Sequence, residues 1–509
     1  MAPPSQMERC PPNRVNSNHK ADYLENTVQD LKAKTIRGGV ARLFSHGTNL
    51  LLRVGSLMVL ARLVDPQDFG LVGMVTAFTG VLTLFRDFGL SSAAVQRTTV
   101  TEEQSSMLFW VNISLGVLLW LVTLAMAPAI AAFYHEPKLF ALTAVLAAGF
   151  LFNAAGVQHT ALLQRQMRFT ALSVISVISL TLGSVIAVAG AKAGYGYWAL
   201  VTMTVAPPLI ATIGFWLTTG WVPGMPHRRV GIRSMMHFGG TVTFTGFLVY
   251  IAYNAEKVMI GRFWGADAIG LYGRAYQLVN IPTETMNTAV GEVAFAALSR
   301  LQDDPMRFRS YFLKGFTVVL GLTLPATIAC ALFSDDVVFV FLGPNWQAAA
   351  AIVRLLAPTI VIFAIINPLG WVIWSLGLEK RGLVAAPILA SLLITGYVVA
   401  LPYGPRGVAF AYSAVMTLLL IPLILFCVYR TPISFRDILL AVSPSLASGI
   451  LAGGLAFATG LIFGQFVSPF PRLLLESGVL VVTFFGVLLF AAGQKPLYLD
   501  LLRELRGPS

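Results

Sequence analysis

From residue 38 onward, long apolar runs alternate with short polar breaks. The runs begin near Gly38, Gly70, Met107, Leu139, Thr170, Tyr197, His237, Ile269, Phe308, Ala348, Gly382, Gly407, Ile438 and Leu473. Each is close to the roughly 20 residues a helix needs to cross the hydrocarbon core of a bilayer. The pattern predicts an all-α polytopic membrane protein of about 14 transmembrane helices. Several runs carry proline, as at Pro207-Pro208, Pro282, Pro325, Pro358 and Pro387. Membrane helices tolerate these where neighbours satisfy the freed backbone groups. Ahead of the first run, Leu24, Val28, Leu31 and Thr35 fall on one helical face, which predicts a short interfacial helix.

One polar break is written twice. Residues 61–73 read ARLVDPQDFGLVG and residues 261–273 read GRFWGADAIGLYG. At an offset of about 200 residues, Arg62 falls on Arg262, Gly70 on Gly270, Leu71 on Leu271 and Gly73 on Gly273. Each copy follows the first helix of a set of six. A second echo is the short basic loop at 163–169 (LQRQMRF) against 377–382 (GLEKRG). An even number of helices per set makes the repeats parallel, related by an axis along the membrane normal. The expected organisation is a tail with interfacial helix (1–36), an N-lobe of helices 1–6 (37–222), a basic linker (223–236), a C-lobe of helices 7–12 (237–430), and two extra C-terminal helices with the C-terminus (431–509).

Composition agrees. The 509 residues are 56% hydrophobic and only 11% charged, with a mean hydropathy of +0.75, against about 25% charged in soluble domains. The net charge of +12 is scattered over short loops and is not a nucleic-acid signature. Lys32, Lys34, Arg37, Arg165, Arg168, Arg228, Arg229, Arg233, Arg307, Arg309, Lys380 and Arg381 share one side, against Arg62, Lys138, Lys192, Arg262, Arg406 and Arg472 on the other. The positive-inside rule puts both termini in the cytoplasm. The three cysteines, Cys10, Cys330 and Cys427, form no disulfide framework or metal spacing. No apolar segment near residue 1 reads as a cleavable signal.

Ionisable residues inside spans are costly and by default face a cavity or a partner. On the first helix Arg42, His46, Asn49 and Arg53 fall within about 60° of one another. The seventh repeats the theme with Tyr250, Asn254 and Lys257, where Glu256 adjoins Lys257 but cannot share its face. The eighth adds Arg274, Gln277, Glu284, Thr288 and Glu292. Arg42, Arg53, Arg86, Lys257, Arg274 and Arg354 outnumber Asp87, Glu256, Glu284 and Glu292. A cavity of net positive character suits a phosphate-bearing molecule, because guanidinium binds phosphate oxygens as a bidentate fork. Arg86 and Asp87 read better as a helix-locking pair. His159 reads as a packed interface histidine, and Trp371 and Trp374 as packing or interface anchors. No Gly-rich nucleotide loop of the GxxxxGK[ST] type is present, no cofactor or metal is expected, and no nucleophile constellation or acidic pair marks an enzyme.

Five phrases carry a resemblance: LARLVDPQDFGLVGM, FRDFGLSSAAVQR, LLQRQMRF, EKVMIGRFWGADAIGLYGRAYQL with PTETMNTAVGEVAFAALSRLQDD, and FLGPNWQAAAAIVRLLA. Over most of residues 37–381 the chain resembles the Wzx-type polysaccharide flippases of the multidrug/oligosaccharidyl-lipid/polysaccharide exporter superfamily, nearest the subgroup serving colanic acid, teichuronic acid and other exopolysaccharides. The resemblance implies a multi-pass protein of the bacterial inner membrane that moves polyprenyl-diphosphate-linked oligosaccharide between leaflets. It further implies a monomer working beside polysaccharide polymerase and export machinery. Related lipid II flippases line their cavity with basic residues of the first helix, a region Arg42 and Arg53 occupy here. Substrate-cavity candidates are therefore Arg42, His46, Asn49, Arg53, Tyr250, Asn254, Lys257 and Arg274. Ion-coupling candidates are Asp87, Glu284 and Glu292. A drug/cation antiporter of the same superfamily is the alternative, and it would favour a more acidic cavity; a membrane polysaccharide polymerase or ligase is a more distant one, which would call for a sizeable outer loop or soluble domain with catalytic residues.

Overall fold

A computed structural model describes residues 44–85, 101–225, 233–463 and 468–505. All regular structure among them is helical. The expected interfacial helix, Arg42, Arg86, Asp87 and the core of the basic linker lie outside the described residues. So do the side chains of Thr288 and Glu292.

The helices are α1 (44–63), α2 (Pro66–Thr83), α3 (Glu102–Tyr134), α4 (Lys138–Arg165), α5 (Phe169–Lys192), α6 (Tyr197–Thr219), α7 (Arg233–Arg300), α8 (Pro305–Leu332), α9 (Ser334–Phe341), α10 (Ala349–Leu356), α11 (Pro358–Ser375), α12 (Glu379–Ala400), α13 (Gly404–Val428), α14 (Phe435–Phe463), α15 (Pro469–Gly486) and α16 (Lys495–Leu505). Nine stretches among the described residues are long and apolar enough to cross a membrane, and one of these, Lys380–Val428, holds both α12 and α13. Their outward faces are apolar. On α5, Val174, Ile178, Leu182 and Val185 form an exposed stripe at helical spacing, a surface suited to lipid rather than water.

α7 has 68 residues and would run about 100 Å if straight. It is broken at Gly265, where φ is 82° and ψ is −172°, a region essentially restricted to glycine. The two arms fold back on each other. A Cβ on Gly261 would touch Ile269 at 3.4 Å, and Lys257 Nζ sits 4.8 Å from the Tyr276 ring centre. The equivalent turn in the N-lobe uses different chemistry. Asp65 is the extended N-cap and Pro66 opens α2, where its missing N–H costs nothing.

α3–α6 pack on one another, and α8, α11, α12 and α13 pack with α7. The lobes meet where α2 lies along α7, an extensive helix pair among the described residues. The repeat forms this contact. A Cβ on Gly70 would lie 1.8 Å from the Ala266 carbonyl oxygen, and one on Gly270 would lie 2.0 Å from that of Pro66. Residue 66 matches 266 and 70 matches 270, so the contact is the same on both sides of a pseudo-twofold axis. The arginines follow the same rule. Arg62 donates to the Val340 carbonyl at 2.6 Å, at the end of α9. Arg262 stacks over Phe133, at the end of α3, with 5.7 Å to the ring centre. Each arginine thus reaches the turn between the third and fourth helices of the opposite set.

α14 and α15 pair with each other and lie on α8 and α9. They are tied to the C-lobe by two ion pairs. Arg309 Nε donates to Asp437 at 2.8 Å, and Arg472 Nε donates to Asp336 at 2.6 Å. Both are two-pronged forks, the geometry in which Arg–carboxylate pairs hold best.

Candidate substrate cavity

A cavity of about 360 Å³ lies between the lobes. The N-lobe contributes Leu50, Arg53, Val54 and Leu57 from α1, and Phe69, Gly73 and Thr76 from α2. The C-lobe contributes Lys257 and a long face of α7 from Ile269 to Thr285, including Arg274, Tyr276, Gln277, Asn280 and Glu284. Gly73 and Gly273 both line it. This is the place of the last glycine in each repeat copy.

The basic groups converge in depth. Lys257 and Arg274 lie eight and nine residues from Gly265 along the two arms, or about 12–14 Å at 1.5 Å per residue. Arg53 lies about 15 Å from the corresponding turn along α1. Arg53 makes no hydrogen bond or ion pair with a described residue. Lys257 donates to Asn254 Oδ1 at 2.7 Å, and Asn254 donates to the Tyr250 carbonyl at 3.0 Å. Arg274 donates to Gln277 Oε1, and its guanidinium carbon lies 4.6 Å from the Phe69 ring centre. Glu284, exposed at the cavity, is the carboxylate among its lining residues.

Of the eight cavity candidates, Arg53, Lys257 and Arg274 come together in the lining. Asn254 stands behind Lys257. Tyr250 is an interlobe contact. Its hydroxyl lies 3.4 Å from the carbonyls of Thr76 and Ala77. Asn49 turns away, donating to Ser45 and Ser176 at 3.2 Å each, so its amide ties α1 to α5. His46 is exposed and outside the lining. The cavity face of α1 thus runs through 50, 53, 54 and 57.

Two charges read as intramembrane cavity groups sit elsewhere. Arg354 lies on short α10 and is half-exposed, donating to Asp335 at 2.6 Å and to Ser334 at 3.1 Å. Glu256 faces the interior of the C-lobe and is 1% exposed. Neither of its carboxyl oxygens has a hydrogen-bond partner among the described residues. Tyr272, Tyr276 and Tyr397 pack within the same core. These belong to a run of rings, with Tyr272 on Tyr276 at 6.3 Å, Tyr276 on Tyr412 at 6.1 Å and Tyr412 on Tyr397 at 6.2 Å. The sequence carried this signal in Tyr253, Glu256 and Ile260 at i, i+3, i+7, with Glu256 about 100° round the helix from Lys257.

The seal above the cavity was also not legible. Phe69 meets Trp346 edge to face at 5.2 Å. Trp346 is fully buried and its Nε1 donates to the Ala61 carbonyl at 2.7 Å. His159 is packed, as read from the sequence. It is buried, with Nδ1 2.7 Å from Thr219 Oγ1 and the ring 4.4 Å from that of Trp216. Trp371 is buried and Trp374 exposed.

This two-lobed bundle around a central polar cavity has counterparts of the same fold among solved structures. It is similar to the lipid II flippase MurJ in an inward closed conformation, with a TM-score of 0.71 at 15% identity over 92% of this chain and 100% of that one. It is also similar to an inward-facing multidrug resistance MATE family transporter of the MOP superfamily, with a TM-score of 0.62 at 13% identity over 77% of this chain and 97% of that one. At such identities the likeness establishes the fold: a multi-pass membrane protein of the MurJ/MATE type.

Sequence narrows this further. Residues 59–351 match the model of the polysaccharide biosynthesis protein family, and the chain belongs to that family. Among its relatives, teichuronic acid biosynthesis protein TuaB of Bacillus subtilis (strain 168) is 30% identical over 304 residues, 57% of this chain and 61% of TuaB. The match thus spans somewhat less than two thirds of that relative. Lipopolysaccharide biosynthesis protein WzxC of Escherichia coli (strain K12) is 24% identical over 348 residues, 67% of this chain and 70% of WzxC. The resemblance to polysaccharide flippases drawn from the five sequence phrases is borne out.

Proposed function

We propose that the protein carries polyprenyl-diphosphate-linked oligosaccharide from the cytoplasmic to the outer leaflet of a bacterial inner membrane. The observation that carries this reading is the interlobe cavity, where Arg53, Lys257 and Arg274 converge against Glu284, the one carboxylate among the described lining residues. A diphosphate esterified at both ends is a dianion at neutral pH, and two guanidinium forks with an ammonium complement it. The sugars would occupy the polar remainder of the cavity, and the polyprenyl chain would stay in lipid along α14 and α15.

The cycle is alternating access by two parallel lobes. Loop charge supports a topology of 14 spans with both termini in the cytoplasm and both repeat turns outside. In this orientation the Gly70–Gly270 contact seals the outer end of the cavity. No chemical step on the substrate is needed, so the protein is a carrier and not an enzyme. Without a nucleotide loop, the work is supplied by an ion gradient, the membrane potential or consumption of the product. Glu256, buried and without a hydrogen-bond partner among the described residues, is the carboxyl we assign to ion coupling, beside the sequence candidates Asp87, Glu284 and Glu292. The names of TuaB and WzxC favour this cargo over the cationic drugs of the alternative reading, which the basic cavity would repel.

The test is deletion of the gene in its host, followed by leaflet-specific analysis of the lipid-linked oligosaccharide. The expected result is accumulation on the cytoplasmic face while synthesis continues, reversed by the intact gene. Continued polysaccharide export together with new drug sensitivity would support the antiporter instead.

A further inference from the structure

The cavity and its outer seal share one side chain. Arg274 of α7 lines the cavity, and its guanidinium also lies over the face of Phe69, on α2 of the other lobe. Phe69 in turn holds Trp346 edge to face, and Trp346 donates across the lobes to the Ala61 carbonyl. A continuous chain of contacts therefore runs from the anion-facing wall to the seal. No described carboxylate pairs with Arg274. Among the described residues its partners are the neutral Gln277 amide and the ring.

We infer that Arg274 is the positioning residue through which an anion in the cavity releases the outer seal. The inference rests on the proposed function, which supplies the anion. A guanidinium over a ring makes a modest, single-faced contact. The same guanidinium on a phosphate makes two parallel charge-assisted hydrogen bonds. A diphosphate reaching Arg53 and Lys257 therefore draws Arg274 off Phe69. Phe69 then loses its cap on the cavity side, the Phe69–Trp346 contact loosens, and the lobes are free to part at the repeat turns. The anion shifts the equilibrium because it binds Arg274 better in the released state than in the sealed one, as any population shift requires. An empty carrier stays sealed, which prevents a futile cycle of opening without cargo.

Thr76 lines the cavity beneath the seal and provides the reporter. In a full-length chain with Cys10, Cys330 and Cys427 replaced, Thr76→Cys is reconstituted in liposomes of known orientation. A membrane-impermeant maleimide is added on the repeat-turn side. Undecaprenyl diphosphate is the probe, and its binding is measured separately. Labelling should be slow without lipid and rise on the order of tenfold with it, the range set by losing one cation–π contact. Arg274→Gln should label fast without lipid and respond to it no further. Phe69→Leu should also label fast without lipid, yet still bind the lipid, because its Arg274 is intact. Slow labelling of both variants that still rises with lipid overturns the inference. Absence of lipid binding by the parent chain overturns the proposed function instead, whereas the lipid-free labelling of the two variants judges the Arg274–Phe69 latch independently. Gel filtration of each variant identifies misfolding, and Arg274→Lys, which keeps the charge but loses the fork, should give an intermediate response.

Discussion

Arg53 shows what a single residue must justify in this protein. An arginine at mid-depth on a membrane helix costs at least about 2.5 kcal/mol on insertion scales, and no described carboxylate offsets that cost. A phosphate clamp and a structural pair with a carboxylate outside the described residues predict different variants. For the clamp, Arg53→Lys keeps charge but loses the planar fork. Export should fall about ten- to a hundredfold, the equivalent of roughly 1.5–3 kcal/mol for a hydrogen bond to a charged group, with normal protein levels in the membrane. Arg53→Ala should abolish export and leave lipid-linked oligosaccharide in the inner leaflet. Degradation of Arg53→Ala that is rescued by neutralising an acidic residue would identify the structural pair. Glu256 and Glu284 separate in the same way. Glu256→Gln should remove the dependence of export on external pH or cation in a vesicle assay, because its carboxyl is buried away from the cargo. Glu284→Gln should retain that dependence and tighten binding of an anionic lipid, since it removes a negative charge from the cavity wall. Unchanged ion dependence in Glu256→Gln would take that carboxyl out of coupling.

At the scale of the element, the repeat turn is built twice from different chemistry, and the two versions should fail differently. The turn in α7 depends on the positive φ of Gly265. Gly265→Ala should cost about 1–3 kcal/mol and lower the midpoint of thermal unfolding in detergent. Asp65, extended with φ of −75°, should accept alanine with a much smaller loss, because it makes no side-chain cap bond. Equal losses at the two sites would mean that the backbone at 265 is not the source of the effect. Much of this level was legible in the sequence. Run length and hydropathy gave the helices, because the bilayer fixes how many apolar residues a span needs. The offset of Arg62, Gly70 and Gly73 from their partners gave the two sets, because duplicated turns retain the residues their contacts require. Other features were hidden for identifiable reasons. A helical wheel gives the angle of Asn49 but not which neighbour occupies that angle, and the neighbour is Ser176. The run near Ala348 is continuously apolar through the break between α10 and α11 at Ala357-Pro358, so Arg354 read as a mid-span charge. Trp346 lies far in sequence from Ala61 and Phe69, and only the packed lobes bring them together.

At the scale of the whole molecule, the proposed cycle requires the lobes to separate at the repeat turns. The seal is small and self-matching, with Gly70 on Ala266 and Gly270 on Pro66, and bracketed by Arg62 and Arg262 reaching across. Close backbone contact at the two glycines can part and re-form with little repacking, whereas the side chains packed between α2 and α7 must exchange partners as the lobes move. α14 and α15 should travel with the C-lobe, since both of their ion pairs go to α8 and α9. A reversible lock tests this. A Cβ on Gly73 would lie 3.6 Å from Ile269 Cγ1, close enough for a cysteine pair to bridge α2 and α7 with little backbone movement. In a chain lacking its native cysteines, Gly73→Cys with Ile269→Cys should export normally under reducing conditions. Oxidation should stop export while leaving lipid binding from the cytoplasmic side, and a reductant should restore it. Each single cysteine variant should be indifferent to the oxidant. If the bridged protein exports at the normal rate, the lobes do not part along α2 and α7. The substrate would then need another route, and the repeated turn would be a static clasp rather than a gate.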